Sequence, residues 1–204
     1  MQEGFERRVG EALASIPGAA AEGPRVGLIL GSGLGEVVDS LPGRDVPYSR
    51  IRGFPAPTVQ GHAGFLRLGE RAAVMAGRFH YYQGLGLDDV VLPVFLLHAL
   101  GVRTLVVTNA AGGIRRSYAP GDLVLISDHI NLMGAGPLRG PNPPGLGPRF
   151  PDMSEAYSRR LRELARECAA KVPAIRSPMQ EGVYAGFSGP SYETPAEVRM
   201  AERM

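Results

Sequence analysis

Residues Arg25 to Glu36 read RVGLILGSGLGE: an apolar run, Val26 to Leu30, passes directly into Gly31-Ser32-Gly33 and then into Leu34-Gly35-Glu36. A short apolar run closed by glycines is the pattern of a strand buried on both faces. A glycine turn that opens a helix collects backbone N–H groups at the strand's exit, where they can face an anion. Fully buried strands of this kind belong to α/β folds, so the flanking chain is read for alternating strands and helices.

Upstream, Phe5, Val9, Ala12, Leu13 and Ile16 recur at helical spacing and predict an amphipathic opening helix. Downstream, AGFLRLGERAAVMAG (Ala63–Gly77) reads as a hairpin with Gly69 and Glu70 in its turn. Asp88 to Leu100 reads as a mostly apolar helix that leads into TLVVTNAAGG (Thr104–Gly113), a second buried strand ending in small residues. DLVLISDHINL (Asp122–Leu132) predicts a third strand over Leu123–Ile126 with a polar exit. Ser154 caps a predicted helix whose stripe is Tyr157, Leu161, Leu164, Ala165 and Cys168. GVYAGFSGPSYET (Gly182–Thr194) supplies a further strand and another glycine-rich exit.

These elements predict an α/β fold: a central mixed twisted β-sheet flanked by helices, with one or more antiparallel pairs, in a single domain over residues 1–204. Met133–Met153 is an irregular stretch rich in Pro and Gly, of a length that in a compact domain usually serves function or is disordered. Thr194, Pro195 and Glu197 form a helix start with N-cap, first-turn proline and capping-box acid. The sequence stops at Met204, and truncation within the domain is the expectation.

Composition narrows the function classes. A formal charge of +2, scattered rather than clustered, gives no footprint for nucleic acid, although the pI is near 8.9. Lys171 is the one lysine, every other cation being arginine. The longest apolar run, Val90–Leu97, contains Pro93 and is too short to span a bilayer. The N-terminus mixes acids and bases, unlike a signal peptide, and Cys168 as the single cysteine excludes an internal disulfide. A cytoplasmic protein with no membrane and no nucleic-acid partner is the expectation.

The chemistry-bearing residues sit at the strand exits. GSGLGE lacks the third small residue of a dinucleotide fingerprint, because Glu36 occupies it, and no P-loop occurs anywhere. What remains is the Ser32 hydroxyl among backbone N–H groups: a seat for a lone phosphate, or a tight turn without ligand.

GRFHYYQG (Gly77–Gly84) supplies counter-charge. If the strand runs through to His80, alternation sends Arg78 and His80 to one face, with Tyr82 following. Guanidinium beside imidazole suits a small dianion, and the alternative is a histidine satisfied by backbone at a strand end. Tyr82 offers a flat face to a sugar or base.

His62, in GHAG, is placed to act as a lid or to lie solvated. His98 reads as a core residue, and the Asp128–His129 pair as structural. The histidines lack metal-ligand spacing and no Gly-x-Ser-x-Gly elbow is present, so neither a metal nor a serine nucleophile is expected. Glu193 can accept from a heterocycle's N–H groups with Tyr192 stacking on it, or be a solvated acid near a helix start.

The ordered segments GSGLG, GHAG, GRFHYYQG, TNAAGG, DHINL, PLRGPN, RFPDMS and GPSYET make the chain resemble the trimeric purine nucleoside phosphorylases over nearly its whole length. The related methylthioadenosine phosphorylases share the layout, but GHAG and GPSYET resemble the purine nucleoside branch. The resemblance implies reversible phosphorolysis in purine salvage: purine nucleoside plus phosphate gives free base and ribose 1-phosphate.

It implies a phosphate site of Ser32, Arg78, His80 and the Ala110 backbone, with His62 near phosphate and the sugar 5′ end. Tyr82 would contact ribose, and Tyr192 and Glu193 would line the base pocket. Phe150 would reach the neighbouring subunit's site in a homotrimer. His62, His80 and Glu193 would carry catalysis, without cofactor or metal, phosphate being a co-substrate. Gln83 departs from the family's glutamate, and the family's remaining site segments would follow Met204. Competing readings are methylthioadenosine phosphorylase-like activity, a nucleoside hydrolase on the same fold, a dinucleotide-binding module and a catalytically dead partner.

Overall fold

A computed structural model of the chain describes residues 4–19, 23–31, 33–55, 64–142, 145, 147–176 and 178–204. Two compact units emerge: Met1–Ala111 with Gly136–Gly147, and Gly112–Ala135 with Pro148–Met204.

The first unit contains α1 (Phe5–Ala14), β1 (Val26–Leu30), α2 (Gly35–Asp39), β2 (Arg44–Pro47), β3 (Phe65–Leu68), β4 (Ala72–Ala76), α3 (Leu87–Ala99) and β5 (Thr104–Val107). The strands form one twisted sheet in the order β2-β3-β4-β1-β5. β1 is parallel to both β4 and β5, whereas β2, β3 and β4 are antiparallel in succession, so the sheet is mixed. The β3–β4 connection is the expected hairpin, with Arg71 joining Gly69 and Glu70 in its loop.

Strand periodicity divides the core. Ala73 and Met75 of β4 point to one face with Ile29, and there meet Ala12 and Ile16 of the α1 segment and Leu96 and Leu97 of α3. Val74 and Ala76 point to the other face with Leu30, against Val38 of α2. Phe5 and Phe95 meet edge to face at 5.1 Å, and Arg8 pairs with Asp89 at 2.6 Å, joining α1 to α3.

The second unit contains β6 (Val124–Asn131), α4 (Arg159–Ala169), β7 (Gln180–Gly186) and α5 (Pro195–Arg203), with β6 parallel to β7. The predicted cap of α5 is present: the Thr194 hydroxyl accepts from Glu197 N–H and the Glu197 carboxylate accepts from Thr194 N–H.

Five local expectations change. β5 is terminal in its sheet, and Val106 and Val107 are 46% and 53% exposed rather than buried. The third strand continues past Ile126 through Asp128 and His129, because β7 supplies ladder partners beyond a bulge and pairing overrides their polarity. The cap of α4 is Ser158, whose hydroxyl accepts from Leu161 N–H, while Ser154 bonds Asp152 instead. The stripe on α4 is also rotated: Leu164 and Cys168 are exposed, and Arg162 and Arg166 turn inward to pair with Glu181 of β7 at 2.7 and 2.5 Å. Finally, His98 is exposed beside Arg103 rather than in the core, since it lies off the face of α3 that carries Leu92, Leu96 and Leu97.

Candidate functional site

Because β4, β1 and β5 are parallel neighbours, their C-terminal ends open on one edge of the sheet, where open α/β sheets place ligands. Three exits follow: Gly31 after β1, Gly77–His80 after β4, and Thr108–Ala110 after β5.

Thr108 joins the first and third. Its N–H donates to Ile29 O at 3.0 Å, and its hydroxyl oxygen accepts from Gly31 N–H at 2.9 Å. A Cβ on Gly31 would lie 2.6 Å from Thr108 O, so glycine is what permits this approach.

The second exit is held from beneath. Gly77 takes a left-handed φ of +102°, which ends β4 at Ala76. Its carbonyl accepts from the buried Tyr48 hydroxyl at 2.7 Å. Tyr48 packs against Phe54 and Phe79 at centroid distances of 5.3 and 5.5 Å, and burial pushes its phenol well above the usual tyrosine range.

The strand therefore does not extend to His80 as expected. Alternation nevertheless persists across the turn, with Phe79 buried and Arg78 and His80 half-buried. Arg78 Nε donates to His80 Nε2 at 3.0 Å, and Arg78 Nη1 donates to Thr108 O at 2.7 Å. The second bond carries the guanidinium from the β4 exit past the end of β1 to the β5 exit. His80 keeps its backbone extended, its N–H donating to Gln83 Oε1 at 2.7 Å.

Tyr82 reaches the histidine by a different route from strand alternation. A 3₁₀ turn at Tyr81–Gln83 lays its ring on the imidazole at 4.8 Å and 24°.

Electrostatically the edge carries a guanidinium fixed in two directions, and an imidazole whose Nε2 accepts from it. An oriented guanidinium beside backbone amides is a receptor for a small oxyanion. A flat aromatic next to it adds a surface for a ring.

The remaining predicted residues fall elsewhere. Ser32 and His62 lie outside the described residues. Ala110 is exposed two residues beyond Thr108, its carbonyl accepting from Asn109 Nδ2 at 3.2 Å. Phe150, Tyr192 and Glu193 belong to the second unit. Tyr192 is 96% exposed, and Glu193 directly precedes the α5 cap. Phe150 is 87% exposed, with the Arg149 guanidinium 5.9 Å from its ring centre. The Asp128–His129 pair is exposed in β6, with His129 N–H on Asp128 and its ring against Tyr157.

Sequence reasoning missed Thr108 and Tyr48. TNAAGG marks the strand exit but assigns the threonine no work, and nothing local pairs Tyr48 with Gly77.

A family model described as the phosphorylase superfamily matches residues 25–204. Purine nucleoside phosphorylase 1 of Geobacillus stearothermophilus is 55% identical over 186 residues, covering 89% of this chain and 67% of that protein. Purine nucleoside phosphorylase 1 of Bacillus subtilis is 48% identical over 202 residues, covering 97% and 73%. Among solved structures, Schistosoma mansoni purine nucleoside phosphorylase in complex with adenosine superposes with a TM-score of 0.86 at 41% identity, over 97% of this chain and 72% of that one.

Proposed function

The chain belongs to the purine nucleoside phosphorylases of the phosphorylase superfamily, and on that premise we propose that its strand-exit edge holds inorganic phosphate for phosphorolysis of purine nucleosides. A phosphate oxygen attacks C1′ of the sugar, the bond from C1′ to the purine nitrogen breaks, and its electron pair leaves with the base. The products are free purine and pentose 1-phosphate. The observation that carries this reading is Arg78, fixed between His80 Nε2 and Thr108 O at the ends of the parallel strands.

The chemistry follows from charge. Glycosidic cleavage builds positive charge on the sugar and negative charge on the purine. A dianion held against the sugar stabilises the first, and donors and acceptors around the purine stabilise the second. Arg78, His80, Ser32 and the Ala110 backbone would hold phosphate, with His62 near it and the sugar 5′ end. Tyr82, stacked on His80, would present its other side to ribose. Positioning of this kind removes several kcal/mol of barrier, so neither a protein nucleophile nor a cofactor is needed.

By the family resemblance, Tyr192 and Glu193 would bind the purine base. A carboxylate that accepts from N1–H favours 6-oxopurines over adenosine. Tyr192, almost wholly exposed, leaves a full ring face for stacking. Phe150 is exposed enough to enter a neighbouring copy, which supports a homotrimer with shared sites. No described helix is long and apolar enough to cross a membrane, and the lone cysteine fits a reducing, cytoplasmic setting.

The test is release of free base from inosine, guanosine and adenosine, with and without phosphate. Release that requires phosphate and yields pentose 1-phosphate is the expected result. Release indifferent to phosphate would make the protein a hydrolase and remove the role given to Arg78.

A further inference from the structure

We propose that Thr108 is the positioning residue of the phosphate site, a role that rests on the phosphorolysis reading above. Its polar groups reach Ile29, Gly31 and Arg78, the hydroxyl also donating to Ile29 O at 3.5 Å. Its N–H donates to Ile29 O of β1 at 3.0 Å. Its hydroxyl oxygen accepts from Gly31 N–H at 2.9 Å, fixing the first residue of the glycine turn. Its carbonyl accepts from Arg78 Nη1 at 2.7 Å, fixing the plane of the guanidinium. One residue thus ties Gly31, which follows β1, and Arg78, which follows β4, into a single frame, although they leave different strands.

The side chain is matched to this work. A hydroxyl is required to accept from Gly31, whose amide donates to it rather than outward, and the β-branch keeps χ1 stiff at a strand end. Without the hydroxyl, the Gly31 amide loses its acceptor and the turn is free to tilt away from the Arg78–Thr108 bond. The chemical step itself gains nothing from Thr108, which therefore belongs to phosphate affinity rather than to bond cleavage. The nucleoside contacts proposed above, at Tyr82, Tyr192 and Glu193, do not involve Thr108, so a loss at Thr108 falls selectively on phosphate.

Thr108→Val keeps the shape and removes the acceptor, and Thr108→Ser restores it. Steady-state kinetics with inosine, varying each substrate in turn, together with calorimetric titration of inorganic phosphate, separate the effects. The valine variant is expected to raise KM and Kd for phosphate about tenfold, with KM for inosine within about twofold, while the serine variant stays near wild type. Should the valine protein not fold, Thr108→Ala against Thr108→Ser carries the same expectation. Unchanged phosphate affinity in a folded valine or alanine variant overturns the assignment. So does an equal rise in both KM values. Wild-type turnover that ignores phosphate overturns the phosphorolysis reading as well, which distinguishes the two failures.

Discussion

The Tyr48 hydroxyl donates to the Gly77 carbonyl at 2.7 Å, one residue before Arg78, while the Tyr48 amide donates to Gly64 O at 2.8 Å. A single buried ring therefore holds the start of the turn that carries Arg78. The Tyr48 backbone amide also holds Gly64, the residue that follows the segment containing His62.

Tyr48→Phe removes that hydroxyl and leaves a buried carbonyl without its donor. We expect a loss of about 1–2 kcal/mol, or roughly 2–8 °C in Tm for a chain of this size. The pH dependence has a definite sign. Burial holds the Tyr48 phenol above its ordinary 10.0, so the unfolded chain ionises first as pH rises. The contribution is complete below about pH 10 and declines above it. Thermal unfolding between pH 8 and 11 should fall more steeply in wild type than in the phenylalanine variant.

Arg78→Lys tests the need for a planar fork. Arg78 donates from Nε to His80 and from Nη1 to Thr108, directions that a single ammonium cannot serve at once. KM for phosphate should rise about a hundredfold, with KM for inosine little changed. A lysine variant with wild-type phosphate affinity would mean that charge alone suffices.

Asp45→Asn probes the edge of the sheet. Arg67 grips Asp45 through Nε and Nη2 at 2.7 and 2.8 Å, and this bond holds the Asp45 carboxyl below its ordinary 3.8. A lowered pKa stabilises the fold above the ordinary value and ceases to do so as pH falls through the folded one. The asparagine variant should melt roughly 1–3 °C lower at pH 7, a small effect because the carboxylate is partly solvated. The difference should vanish near pH 2, as measured by parallel unfolding scans.

Glu193→Gln replaces the acceptor proposed for the purine N1–H with a neutral amide. The value of kcat/KM for inosine should fall roughly 10- to 100-fold, with KM for phosphate unaffected. Adenosine, which lacks that hydrogen, should lose much less, and equal losses on both nucleosides would remove Glu193 from base selection.

Much of this architecture was legible because its signals are local. The apolar run at Val26–Leu30, the turn near Gly69 and the cap at Thr194–Glu197 each involve residues a few positions apart. The Arg78–His80 pair was legible for the same reason, since residues two apart share a face even where β4 has ended. The errors were local too. The α4 stripe was drawn through Leu164 and Cys168, when the ion pairs to Glu181 on a distant strand turned the helix. Asp128 and His129 read as an exit until β7 paired with them.

By itself, then, the sequence determined which segments become strands and helices and which side chains bring charge and flat rings to the strand exits. Periodicity and turn chemistry act over a few residues, and those choices are made there. Only the tertiary structure decided that Arg78 reaches the Thr108 carbonyl 30 residues away and that Tyr48 holds Gly77 from 29 residues away. It also decided that β5 ends the described sheet with its valines exposed. Those outcomes depend on strand order: β1 lies between β4 and β5, and hydrogen-bond partners are selected by adjacency in the sheet, which no spacing along the chain encodes.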